Sequence, residues 1–144
     1  MKKKVIANVF IVVLILQLLA GCKSSPNNAT YQDGTYTGKS SEDDQGAYGE
    51  VTITIKGTEI TSCEYVTWQK DGTIKDENYG KINGEISNQD YYDKAQLAVE
   101  AMAQYAQSLV EAQKLENVDA ISGATIAFNQ FSEAVNDALD SAKK

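Results

Sequence analysis

The residues with most to offer chemically run from Val118 to Thr125: Val-Asp-Ala-Ile-Ser-Gly-Ala-Thr. Small residues lead there straight into an amphipathic stretch, so the segment reads as a loop opening onto a helix N-terminus. Such an end presents unpaired backbone N–H groups and the positive pole of the helix dipole, both suited to a phosphate. Gly123 and Ala124 leave room for a second molecule to approach the backbone, and Thr125 adds a hydroxyl at the same spot. A plainer role is open to the same residues, with Ser122 or Thr125 as the helix N-cap. Neither is followed three residues later by Glu or Gln, so no capping box completes that reading. On the residues alone, anion site and simple cap both stand.

What the chain lacks narrows the chemistry. It has 144 residues, 13 Lys+Arg against 20 Asp+Glu, and no histidine; every base is a lysine. Without histidine there is no Ser-His-Asp triad, no Cys-His dyad and no His-liganded zinc, and no metal ligand set is expected. Without arginine there is no bidentate clamp for phosphate or guanine, which argues against nucleic acid as a partner. No pocket of paired acid and base residues can be read either, so no catalytic residue is assigned. The length allows one domain, and a hydrophobic fraction of 42% is enough for a packed core.

The N-terminal segment reads as an address. Lys2, Lys3 and Lys4 precede an apolar run from Val5 to Ala20, shorter than the roughly 20 apolar residues of a spanning helix and placed behind a basic region. It ends in Leu19-Ala20-Gly21-Cys22, which resembles the lipobox of bacterial lipoproteins. That resemblance implies a signal peptide over 1–21, cleavage after Gly21 and diacylation of Cys22. Cleavage would leave 10 lysines against 20 acids, a side-chain charge of −10. Such a body repels anionic headgroups, so the bilayer contact must be the acyl chains. Residues 22–30 form the lipidated cysteine and a polar tether. Its eight residues after Cys22 span at most about 26–29 Å, which would keep the domain at the membrane. Cys63 then has no disulfide partner; beside Ile60, Tyr65 and Val66 it reads as a small buried hydrophobe, with a redox thiol as the other reading.

The remaining residues, 31–144, must build the scaffold. A turn followed by β-favouring residues predicts a short strand at 35–38. Glu50–Lys56 alternates, with Val51, Ile53 and Ile55 on one face and Thr52 and Thr54 on the other, which predicts a half-buried strand. Gly57-Thr58 turns the chain into a partner strand from Ile60 to Trp68. Ile60, Val66 and Trp68 cannot share a face with Cys63 and Tyr65 without a bulge. From Gln69 to Gln89 the chain is polar and turn-rich, either a functional loop or a cover for short strands. Asp90–Lys114 has the helical period (Ala95, Ala98, Met102, Tyr105, Ala106, Leu109, Val110), as does Ala124–Ala142 (Phe128, Phe131, Val135, Ala138, Leu139, Ala142). Strands followed by helices give an α+β fold, a small twisted antiparallel sheet packed against two main helices.

With the elements in place, Asp119-x-x-Ser122-Gly123-Ala124-Thr125 ahead of a C-terminal amphipathic helix resembles the FMN-binding domain family. That family includes the flavinylated subunits of the sodium-pumping quinone reductase and Rnf complexes, and lipoproteins of extracellular electron transfer. The likeness runs from Tyr31-x-Asp-Gly-Thr-Tyr-Thr-Gly38 to Leu139. It implies one covalent FMN, joined through a phosphoester to Thr125, with Asp119, Ser122, Gly123 and Ala124 as the motif positions read by an FAD:protein FMN transferase. That enzyme, using a divalent metal, forms the bond and releases AMP. Many members carry Thr or Ser two residues beyond the acceptor, where this chain has Ala127. Trp68 and Tyr79 are aromatic candidates to contact the flavin ring, each with core or loop packing as the alternative. The resemblance thus implies a lipid-anchored carrier on the outer face of the cell membrane, fed by a membrane quinone reductase or similar donor. Two other readings remain: a lipoprotein holding flavin or another anion non-covalently, and a cofactor-free surface lipoprotein.

Overall fold

A computed structural model describes residues 30–144. The expected signal peptide, Cys22 and all of the tether before Thr30 lie outside the described residues. Three strands, β1 (Gly34–Lys39), β2 (Tyr48–Lys56) and β3 (Glu59–Trp68), form an antiparallel sheet in the order β1-β2-β3. Two helices follow, α1 (Gln89–Ala112) and α2 (Thr125–Ala142). This is the expected α+β architecture, with element ends displaced by one or two residues.

The alternation in β2 does what its pattern requires. Val51, Ile53 and Ile55 are fully buried under the helices, while Thr52 and Thr54 lie half-buried on the other face. β3 resolves its conflict with a bulge. Ile55 pairs with Ile60 but Thr54 pairs with Ser62, so Thr61 is the extra residue. This shift puts Ile60 on the core face together with Cys63, Tyr65 and Thr67, and sends Val66 and Trp68 to the other face. Cys63 packs half-buried against the core, and burial with the nearby Glu64 carboxylate pushes its thiol up to about 12. A thiol held protonated is a poor nucleophile.

Helix α2 lies across β1 and β2, and α1 along β3. The close approach of α2 to β1 depends on Gly38: a Cβ there would stand 2.1 Å from the Ala134 carbonyl oxygen. Asn88 caps α1, its side chain accepting the Tyr91 N–H at 3.0 Å. At the other end the Gln113 amide bonds both the N–H (2.9 Å) and the carbonyl (2.8 Å) of Ile60, tying α1 to β3.

The segment between β3 and α1 contains only isolated bridges, Trp68 with Ile74 and Ile82 with Glu85. It is held from α1, where the Gln96 amide donates to the carbonyls of Asp76 (3.2 Å) and Tyr79 (2.8 Å). Among the described residues, no helix is long and apolar enough to cross a membrane.

Candidate functional site

The loop before α2 is fixed from beneath by two buried tyrosines. The Tyr105 hydroxyl accepts the Ile121 N–H at 2.8 Å and donates to the Ala124 carbonyl at 3.3 Å. Tyr65 donates to the Ala127 carbonyl at 2.7 Å, in the first turn of the helix. Desolvation pushes the Tyr65 phenol up to about 12, so it stays a donor at any ordinary pH. Above these supports the chain turns through Gly123, whose φ of +87° is left-handed and whose added Cβ would stand 2.7 Å from Leu97 Cδ2. The left-handed φ favours glycine here, while the leucine tip could turn aside.

The N-cap of α2 is Ala124, and no side chain caps the helix. Neither Ser122 nor Thr125 takes that role, so the simple-cap reading is set aside. Thr125 is the first helical residue and is exposed. Its N–H and those of Ile126 and Ala127 precede the first intrahelical bond, from Phe128 N–H to the Ala124 carbonyl (3.0 Å), and receive no acceptor from the described residues.

A cavity of about 430 Å³ opens beside this turn, within the ~300–1,000 Å³ usual for small-molecule sites. Gly123, Ala124 and Thr125 line it; Asp119 and Ser122 do not, and both are exposed on the loop. Of the two aromatic candidates, Tyr79 lines the cavity and Trp68 does not. The Trp68 indole N–H is buried and has no hydrogen-bond partner among the described residues. Ala127, at the position where relatives often carry a hydroxyl, is a buried part of the lining.

Several lining residues escaped the sequence reading. Thr67 and Met102 form an inner wall, with the threonine hydroxyl 3.1 Å from the methionine sulfur. Gln130 is only 6% exposed although it is polar, and its amide donates to the Ala47 carbonyl at 2.9 Å. A glutamine within the apolar stripe of α2 was the available signal. Asp43 organises the β1–β2 connection by accepting the N–H groups of Gln45 and Ala47, each at 2.9 Å. Lys75 enters from the irregular segment, its ammonium 5.0 Å from the Tyr79 ring centroid. Burial and the neighbouring Tyr91 push the Tyr79 phenol up to about 12.

The site therefore has free N–H donors at a helix terminus, an exposed hydroxyl among them, a glycine allowing close approach, and an adjoining recess of partly apolar lining. These features fit a phosphate-bearing ligand with a flat ring, and FMN has both parts. Among the described residues no group of three or more acidic or thiol side chains could hold a metal ion.

Such an arrangement suits a phosphate-bearing ligand. The sequence profile of the FMN-binding domain matches residues 46–140, well over half of the chain, and the chain belongs to that family. It is a flavin-binding protein whose cofactor is FMN. A Clostridium perfringens protein of known crystal structure shares the fold, with a TM-score of 0.62 and 24% identity over 78% of this chain and 89% of that one. A Clostridium thermocellum protein solved by NMR gives a TM-score of 0.45 and 27% identity, covering 78% and 93% of the two chains. No curated protein matches the sequence.

Proposed function

We propose that this protein is a lipid-anchored electron carrier that holds one FMN covalently, through a phosphoester to Thr125, on the outer face of the cell membrane. The observation that carries the reading is the position of Thr125: an exposed hydroxyl on an uncapped first turn, beside the cavity. Its partners would be an FAD:protein FMN transferase, a membrane quinone reductase or similar donor, and the bilayer through acylated Cys22.

Each residue of the site has a part in this reading. The N–H groups of Thr125, Ile126 and Ala127 bind phosphate oxygens, and Gly123 keeps the approach to them open. Tyr105 and Tyr65 hold the loop and the first turn in place. Met102, Val99 and Tyr79 shield the ring from water, while exposed Asp119 and Ser122 remain available to the transferase. When bound, FMN supplies one- and two-electron transfer, and the protein supplies attachment and surroundings. A covalent bond suits a site outside the cell, where a dissociated flavin would diffuse away.

Coexpression of the chain with its transferase tests the assignment. Wild type should fluoresce as a flavoprotein on a denaturing gel, whereas Thr125→Ala should not, with unchanged circular dichroism. Fluorescence surviving in Thr125→Ala would refute the phosphoester at this residue.

A further inference from the structure

Lys75 is the one basic side chain in the lining of the cavity, which also includes the carboxylates of Asp43 and Asp44. Its backbone is fixed, the N–H donating to the Thr67 carbonyl at 2.9 Å on the inner wall. Its ammonium lies against the Tyr79 ring, and the ion pairs found among the described residues, Lys39–Glu50 and Lys143–Asp140, do not include it. Burial draws its pKa below the ordinary lysine value, and the Asp43 carboxylate pulls the other way. A partly desolvated cation that borders a ligand cavity, within the field of Asp43 but in no direct salt bridge, is only partly balanced by its surroundings.

The phosphate does not need it, because the α2 terminus has its own donors. The flavin ring presents a second anionic demand once it is reduced. We infer that Lys75 sets the reduction potential of the bound flavin, its ammonium serving as counter-charge to the electron-rich reduced ring. The balance is two electrons from the quinol or reductase donor and one proton from solvent. This leaves one net negative charge that Lys75 offsets without giving up its own proton. The inference rests on the FMN reading above.

The test compares flavin-loaded wild type, Lys75→Gln, Lys75→Arg and the exposed control Lys56→Gln, with intact mass confirming the load and spectroelectrochemical titration giving the midpoint potential. Lys75→Gln should lose at least tenfold in the reduced-to-oxidised preference, about 30 mV downward for a two-electron couple. Lys75→Arg should recover most of that loss, and Lys56→Gln should match wild type. Equal loading with an unmoved midpoint in Lys75→Gln would overturn the role of Lys75 while leaving the carrier intact. A Lys75→Gln protein that does not load, beside a loaded Lys75→Arg, would overturn it in favour of a role in attachment. A shift of the same size in Lys56→Gln would reduce the effect to net charge. Wild type without the FMN mass would remove both the inference and the reading beneath it.

Discussion

The phenolic oxygen of Tyr105 ties the core to the loop before α2. It satisfies the Ile121 N–H and reaches the Ala124 carbonyl, which already accepts the Phe128 N–H. Tyr105→Phe keeps the ring packed against Phe128 and Phe131 and strands only the Ile121 donor. Leaving such a group unpaired costs roughly 1–3 kcal/mol. Urea denaturation should show a loss in that range, and flavin loading should slow because the loop is less well held. Unchanged stability and loading would mean that the loop is positioned by other contacts. Residue types told part of this beforehand. Tyr105 was recognisable as a core position from its helical spacing, but the partner of its hydroxyl lies 16 residues away and depends on how the two helices pack. Thr125 was legible because its neighbours form a local motif. Lys75 was not, because a polar segment without periodicity gives no indication of which side chain turns inward.

The elements owe their arrangement to close contacts that composition does not display. β1 and α2 approach so nearly that only a glycine fits at Gly38. Gly38→Ala would drive a methyl group into the α2 backbone at Ala134 and Ala138, and backbone cannot rotate aside as a side chain can. A loss at the upper end of about 1–3 kcal/mol, or beyond it, should appear in thermal unfolding. A melting temperature equal to wild type would show that the helix can ride higher on the sheet. The same contact is reinforced beside it, where Asp137 accepts the Lys39 N–H at 2.9 Å and Glu133 accepts the Ser41 N–H at 2.9 Å. These ties hold the connection that carries Asp43 to the cavity. In strand β2 the buried and open faces were readable because period-two burial is a local rule, though the strand begins at Tyr48, two residues before the expected start. In β3 the need for a bulge was readable but not its position, since pairing with β2 decides that Thr61 is the extra residue. The segment between β3 and α1 could not be resolved from sequence. Side chains of α1 hold it in place, as Gln96 does, and it forms no ladder of its own.

At the scale of the molecule, both helices pack on the sheet, burying Val51, Ile53 and Ile55, and the Gly123 turn lies at the N-terminal end of α2. The proposed anchor is the acylated Cys22, far from Thr125 in sequence, so lipidation and flavin attachment are proposed as separate modifications. Cys22→Ala should therefore release the protein from the membrane fraction without altering its flavin content per folded chain. Retention in membranes would contradict lipidation as the means of attachment. The proposal for the address segment rests on sequence alone. That segment is a short linear signal of charge, apolar length and terminal cysteine, whereas the cavity gathers residues from five separate stretches of chain.

The central claim concerns the bond at Thr125, and peptide mapping by tandem mass spectrometry of protein made beside its transferase addresses it directly. One peptide spanning Ser122–Gln130 should carry the added mass of FMN less one water, with fragments assigning it to Thr125. An unmodified Thr125 in fully loaded protein, or the same mass on a different residue, would contradict the account.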